Sequence, residues 1–482
     1  MKRRHFSFFM FSFLLTGCAV GPDYVAPKID FASTWFSPHT EAVNEESVKT
    51  EWWTIFGDPL LEKYIHATAT GNKDVEIALA NLRRARASRN EASASLWPQI
   101  GSDAQAERSQ SSRKVTTSST GSNAIRNFYD AGFDASWELD LFGGNRRSIE
   151  AAKAREESAV ADYRAVMLAS LSEVARLYYE ARGLQKRISI TDENSKLLKK
   201  TFELIEARYK AGEASEFDLS RARGEYQLTR SRLPNLRADL YATLFSLSVL
   251  LGQPPEAVLD EMEQVQPLPA PPDLVPVGLR SDILRRRPDI QRAERQLEAE
   301  VADIGSALSD LFPKFFLTGD AGRQARVFGD LFSSGSGVWS LGSLVSWPVF
   351  KGGALRAEVK VQEAESEAAL ATYHKAVLEA VADVETALTQ YGQELETRKL
   401  LSEGVQSRRQ SVELAQKLFD AGEQDYLAVL DAERELTASE DDLVTSETRS
   451  IVKLIALFTA LGGGWEAFDE QRSETSMTPA KP

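Results

Sequence analysis

WSLGSLVSWPVFKGG, from Trp339 to Gly353, opens a run that continues to Phe419 and decides how the chain folds. Trp339, Leu341, Val345 and Trp347 alternate with Ser340, Gly342 and Ser346. Strand side chains point to opposite faces in turn, so one face is apolar with a Trp at each end. Beyond Gly353 the sequence is charged and Ala-rich, without a Pro, as far as Phe419. Read as one helix, this run holds roughly 65 residues and rises ~100 Å. An ordinary globular helix has about 11–12 residues. The pairing of such a helix with a Trp-ended strand has to be explained by the rest of the chain.

The chain is double. SLWP (Ser95 to Pro98) matches DLFP (Asp310 to Pro313), and LFGG (Leu141 to Gly144) matches VFKGG (Val349 to Gly353). YKAGE (Tyr209 to Glu213) matches FDAGE (Phe419 to Glu423), and LLG (Leu250 to Gly252) matches ALG (Ala460 to Gly462). The order is the same in both halves and the offset stays close to roughly 210 residues, as in an internal duplication. Each half reads as helix, strand, loop, strand, very long helix, AGE turn and helix.

GFDASWELDLF in the first half mirrors the opening strand. Phe133, Ala135, Trp137, Leu139 and Leu141 alternate with Asp134, Ser136, Glu138 and Asp140. The pattern suits a membrane β-barrel strand with a wet lumen, and equally a soluble sheet with one wet face. Partner strands are expected over Ile100 to Glu107 and Phe315 to Arg323. The helices carry coiled-coil spacing: Val174, Leu177, Ala181, Leu184 and Ile188, then Leu233, Leu236, Leu240 and Leu247, then Val377, Val381, Val384, Leu388 and Tyr391. Seams of this kind pack helices knobs-into-holes. Pro234 removes a hydrogen bond from its helix and is expected to bend it. Gly212 and Gly422 are placed to cap helix C-termini.

Composition bounds the class. The 482 residues are 43% hydrophobic and 27% charged with net charge −14, which suits a folded chain and not a nucleic-acid partner. The short basic run Arg285 to Arg287 is expected on a solvated face. MKRRH and the apolar run Phe6 to Leu15 form a signal segment too short to span a bilayer. Leu15-Thr16-Gly17-Cys18 follows, with the chain's one cysteine, so an intrachain disulfide is excluded. This resembles a bacterial lipoprotein signal, which implies lipid attachment at Cys18. Ala19, where such proteins carry Asp when kept at the inner membrane, is compatible with the outer membrane.

Nothing promotes an enzyme. The histidines His5, His39, His66 and His374 are scattered, so no metal set or cofactor site is expected. Gly462 to Gly464 lacks the Lys of a phosphate loop. The strands are more informative. Two strand pairs give four strands, which cannot close a barrel, and open edges are not tolerated in lipid. If these strands cross a membrane, the chain must oligomerise: a dimer would give eight strands and a trimer twelve.

CAVGPDYVAP, LRRRPDIQRAERQLEAEVADIGSALSDLFPKFFLTGDAG (Leu284 to Gly322), WSLGSLVSWPVFKGG and ALGGGW (Ala460 to Trp465) together resemble the lipoprotein, NodT-type branch of the TolC/OprM outer membrane efflux factors. The resemblance implies a mainly α fold with transmembrane β. Four strands per protomer would complete a trimeric twelve-stranded barrel, continued by a periplasmic α-barrel with an equatorial region. It implies an outer membrane channel, passive and not an enzyme, serving an inner-membrane RND transporter through a periplasmic adaptor. The same duct could instead serve metal-ion efflux or secretion. From the residues alone, a lipid-anchored coiled-coil scaffold is the rival of another class.

The expected layout is a signal peptide at 1–17, a lipidated tail at 18–56, a first repeat at 57–252 with its hairpin at 98–142, and a Pro-rich connector at 253–283. A second repeat at 284–464, with its hairpin at 313–350, and a tail at 465–482 complete it. The outward-facing barrel residues are expected to be Phe133, Trp137, Leu139, Trp339, Leu341, Val345 and Trp347. The resemblance places a periplasmic gate at Leu427 and Asp431, which share a helix face because they are four apart. It places a helix-tip latch and adaptor surface at Asp218, Phe419, Gln424, Gly212 and Gly422. Phe419 and Gln424 stand where some members carry Tyr and Arg partners for the carboxylate matched by Asp218, so an ion-pair latch at those positions is not expected.

Overall fold

The computed structural model describes residues 19–29, 35–36, 43–44, 49–110, 112, 125–270, 272, 275–278 and 280–469. The chain forms two compact units. Of the described residues, the first gathers 19–27, Leu82–Ala159 and Ala293–Tyr373; the second gathers Lys28–Asn81, Val160–Arg292 and 374–469.

The first unit holds one antiparallel sheet of four strands: β2 (Gln99–Gln110), β3 (Ile125–Leu139), β5 (Lys314–Ala325) and β6 (Gly337–Ser346), in the order β2-β3-β5-β6. Each hairpin comes from one repeat, and the repeats join where β3 pairs with β5. Phe133 faces Ala321, and Ala321 faces Trp339; Ala135 faces Gly319, and Gly319 faces Leu341. Directly paired residues share a face. One face therefore carries Phe133, Trp137, Leu139, Leu317, Trp339, Leu341 and Val345. The other carries Asp134, Glu138, Thr318, Asp320 and Ser340, with Asp134 directly opposite Asp320. The apolar face is bare in the single chain: Trp339 is 80% exposed and Leu341 81%.

The two repeats anchor their strands alike. Trp137 Nε1 donates to the carbonyl of Leu96 at 3.0 Å, and Trp347 Nε1 donates to that of Leu311 at 3.1 Å. Each acceptor lies two residues before a Pro, Pro98 or Pro313. Proline cannot donate to the ladder and so marks where the helix has ended and the strand begins. Gly144 meets Ser309 so closely that a Cβ there would lie 2.2 Å from its hydroxyl.

Helices fill the second unit and extend into the first. They are α1 (Pro59–Gly71), α2 (Lys73–Ala94), α3 (Gly144–Lys210), α4 (Glu216–Leu250), α5 (Ile283–Arg286), α6 (Pro288–Ser309), α7 (Ala354–Asp420) and α8 (Tyr426–Ala460). The duplication is visible in their lengths. Helices α3 and α7 have 67 residues each, and α4 and α8 have 35 each. Helix α4 continues through Pro234, which is exposed. The seam residues Val174, Leu177, Ala181, Leu233, Leu236, Val377, Val384 and Leu388 are buried. A short parallel pair, β1 (Val43–Asn44) with β4 (Val275–Pro276), ties the tail to the connector.

Trp52 and Trp53 are buried in this unit, stacked on Phe458 and Phe468 at 5.5 and 5.8 Å. Arg287 overturns the expectation of a solvated basic run. Its side chain is 12% exposed, bonds Asp289 and Asp383, and reaches the carbonyl of Ala460 at 3.1 Å, at the end of α8. A cation there satisfies a carbonyl that the helix itself leaves free. Arg285 alone of the three is exposed.

Candidate functional site

The residues expected at the gate and latch lie at the two helix turns or within the first two turns of the helices that follow them. Helix α3 ends at Lys210, and Gly212 adopts φ 80°. The amide of Glu213 then donates to the carbonyl of Arg208 at 2.8 Å, and that of Gly212 to Tyr209 at 2.9 Å. The second repeat does the same: Gly422 has φ 75°, Glu423 donates to Leu418 and Gly422 to Phe419, both at 2.9 Å. These are Schellman caps, and the positive φ is why glycine stands at both positions.

The next helices start differently. Ser215 caps α4 and accepts from the amide of Asp218, while Asp218 Oδ2 accepts from the Ser215 amide at 3.2 Å and hydroxyl at 2.6 Å. This closed capping box occupies the carboxylate of Asp218 within its own turn. Asp425 caps α8 through the amide of Ala428 at 3.3 Å.

Between the turns lies a small apolar core. Leu198 and Ile205 of α3, Leu219 and Ala222 of α4, and Leu430 of α8 are buried together, with Phe202, Tyr226 and Tyr426 against them. Phe419 meets Tyr426 edge-on at 5.0 Å, and the Arg208 guanidinium lies 5.5 Å from the centre of its ring. Phe419 thus packs inward, whereas Gln424 is exposed in the turn. Leu427 is half-buried on the first turn of α8, one turn before Asp431.

Asp431 has a partner that reading the sequence missed. Arg221 Nη2 of α4 donates to Asp431 Oδ1 at 2.5 Å, and Arg434 lies 3.8 Å from the same oxygen. The side chains of Arg221 and Asp431 are 35% and 47% exposed. The signal was present: the two residues are 210 apart, the spacing of the repeat, and each follows its turn glycine by the same number of residues. Equivalent positions on the two short helices meet, and there the repeats differ in sign of charge.

The sheet places Phe133, Trp137, Leu139, Trp339, Leu341 and Val345 on its apolar face, with Trp347 just past the end of β6. Cys18 lies outside the described residues. Its neighbours are docked on the start of α3. The amide of Val20 donates to the carbonyl of Phe142 at 3.0 Å, and Arg147 donates to the carbonyls of Val20 and Gly21 and pairs with Asp23 at 2.7 Å. Among the described residues no cluster of three metal-ligating side chains occurs, and no helix is long and apolar enough to cross a membrane.

A sheet with one apolar face and one face bearing carboxylates, together with helices of 67 residues that end in capped turns, is the pattern of a membrane channel with a helical extension. The family model "Outer membrane efflux protein" matches residues 64–253 and 279–463. The chain is 31% identical over 475 residues to the antibiotic efflux pump outer membrane protein ArpC of Pseudomonas putida, covering 94% of each. It is 31% identical to Nodulation protein T of Rhizobium leguminosarum bv. trifolii, covering 94% of this chain and 96% of that one. The outer-membrane channel OprN superposes with a TM-score of 0.87 at 33% identity, covering 93% of this chain and all of that one. The chain belongs to the outer membrane efflux protein family: it is an efflux channel of the outer membrane with a periplasmic extension, not an enzyme.

Proposed function

We propose that three copies of this chain form the exit duct of a tripartite pump, moving small organic toxicants or drugs outward from an RND transporter and a periplasmic adaptor. The observation that carries the oligomer is the sheet. Its order leaves β2 and β6 as free edges, and its apolar face is bare. Unpaired backbone groups are too costly in hydrocarbon to remain open. Pairing β6 of one copy with β2 of the next continues the antiparallel alternation and closes a ring. Three copies give the twelve strands that the family resemblance implies. The long helices, each rising ~100 Å, would supply the tunnel.

The docking of Val20 to Asp23 against Phe142 and Arg147 supports lipid attachment at Cys18, because it holds that end of the chain beside the base of β3. At the tip, Leu427 would form an apolar ring and Asp431 a carboxylate ring, with Arg221 fixing each carboxylate in the closed state. Opening would swing α7 and α8 outward as an iris. Asp218 and Gln424, with the turns at Gly212 and Gly422, would face the adaptor, and Phe419 would hold the tip core.

Native mass spectrometry of the purified protein should give the mass of three lipidated chains, and planar bilayers should show ion conductance. A monomer that forms no pores under any condition would overturn the duct. The antibiotic named for the relative from Pseudomonas putida supports the substrate class. Drug susceptibility of a deletion strain, restored by the gene in trans, tests it.

A further inference from the structure

Two residues past Asp431, Glu433 sits inside the protein. It is 8% exposed, and its Oε2 has no hydrogen-bond partner. Helices α3 and α8 run antiparallel, pinned by Arg187 with Asp441 on one side of this level and by Thr201 with Tyr426 on the other. Counting inward from the Thr201–Tyr426 pin sets Glu433 level with Asn194 of α3, and counting from the Arg187–Asp441 pin sets it at the adjoining Ser195. The Asn194 Nδ2 is also buried without a partner. The seam between α3 and α8, otherwise apolar around Leu198 and Leu430, thus holds two unmatched polar groups at one height.

The charges around this level are engaged elsewhere. On α4, Arg221 is held by Asp431 and Arg223 lies 5.5 Å from the centre of the Phe202 ring. On α7, Arg408 is taken by Glu435. On α3, Lys196 pairs with Asp192, and Glu193 accepts from Ser189. Arg434, next to Glu433 on α8, turns toward Asp431. The titratable group that feels the Glu433 charge is the Tyr426 phenol, pushed up to about 12 by burial and opposed by its bond to Thr201.

We propose that Glu433 is the proton-sensitive element of the tip: its neutral carboxyl lets α8 pack against α3, and its ionisation loosens that packing toward the open state. An unpartnered carboxylate inside a protein keeps most of its desolvation cost, which separation of the helices relieves. Burial alone pushes this carboxyl from 4.5 to about 7. The sign follows. A packed tip binds a proton that a loosened, solvated tip releases, so acid favours packing. Below the ordinary carboxylate value both states are protonated and pH has no effect. Between the two values the ratio of packed to loosened falls about tenfold per pH unit, and above the upper one it is flat. The whole span is roughly 300-fold for one carboxyl.

This rests on the tip being the gate, and the experiment separates the two ideas. Hydrogen exchange at the start of α8, corrected for its intrinsic pH dependence, is followed in the full-length protein from about pH 4.5 to about pH 8, beside bilayer conductance. Protection should fall and conductance should rise across that window, and Glu433→Gln should remove both trends while holding the acid-like, protected state. Protection that does not change with pH in the unaltered protein would overturn the proposal, and so would a Glu433→Gln channel that keeps the full pH response. If Glu433→Gln fails to assemble, exchange in the unaltered protein still decides. If protection tracks pH but no pore forms at any pH, the proton coupling stands and the channel reading fails.

Discussion

Replacing Arg221 with Ala tests the proposed gate most directly. The pair it forms with Asp431 spans 2.5 Å between side chains that remain partly in water. Two unit charges about 4 Å apart attract by ~1 kcal/mol in bulk water. Exposed pairs measured by double-mutant cycles give about 0.2–1 kcal/mol, so ~0.5 kcal/mol per protomer is a sober value. The substitution also uncovers Asp431. Three bare carboxylates about 6 Å apart would repel by ~0.7 kcal/mol per pair in water. If the tips of a trimer open together, losing three pairs and gaining three repulsions shifts the closed state by ~3–4 kcal/mol, or roughly a few hundredfold in the open-to-closed ratio.

The assay is open probability in planar bilayers at about 0.15 M and about 1 M salt, where the screening length falls from about 8 Å to about 3 Å. At low salt Arg221→Ala should open far more often than the unaltered channel, and at high salt the two should converge. Asp431→Ala should open more readily too, with weaker preference for cations. The double variant should be less leaky than the two single effects multiplied, because both remove the same pair. An Arg221→Ala channel with unchanged open probability at low salt would refute the reasoning, as would strictly multiplicative effects in the double variant.

Other outcomes follow from the same geometry. Gly422→Ala meets no atom within 4 Å, so its cost is the backbone conformation alone, about 1–2 kcal/mol, read as faster proteolysis at that turn while the sheet stays intact. Arg287→Ala removes a cation largely shielded from water and leaves the partly exposed Asp289 and Asp383 without it, which should cost about 1–3 kcal/mol and lower the Tm by a few degrees. Cys18→Ser should abolish incorporation of labelled palmitate. Leu427→Ala should raise leakage of uncharged solutes in liposome-swelling assays, because the proposed apolar ring would be widened without a change of charge.

The repeat was legible because its marks are local: Pro98 and Pro313 stop a helix, and Gly212 and Gly422 supply a conformation that other residues resist. Strand faces were legible for the same reason, since alternation from Phe133 to Leu139 needs no partner to interpret. The partner of Asp431 was not legible by inspection of one helix. Charges recur every few residues along α4 and α8, and only the packing of equivalent positions selects Arg221. Glu433 was hidden in the same background, because a buried Glu and a solvated one have the same letter. The basic run Arg285 to Arg287 misled because its charge suggested solvent, whereas the carbonyl left free at the end of α8 needed one of those guanidinium groups.

The matched lengths of the helices carry a constraint on change. Adding one residue to α3 would turn everything beyond it by about 100° and advance it by 1.5 Å. Its twin α7 would stay put, and the turn at Gly212 would no longer sit level with the turn at Gly422. Arg221 would then miss Asp431. Insertions and deletions in the stems are therefore expected in both halves together, and in steps that also restore the face, such as about seven residues. The tips can drift in composition far more freely than the stems can drift in length.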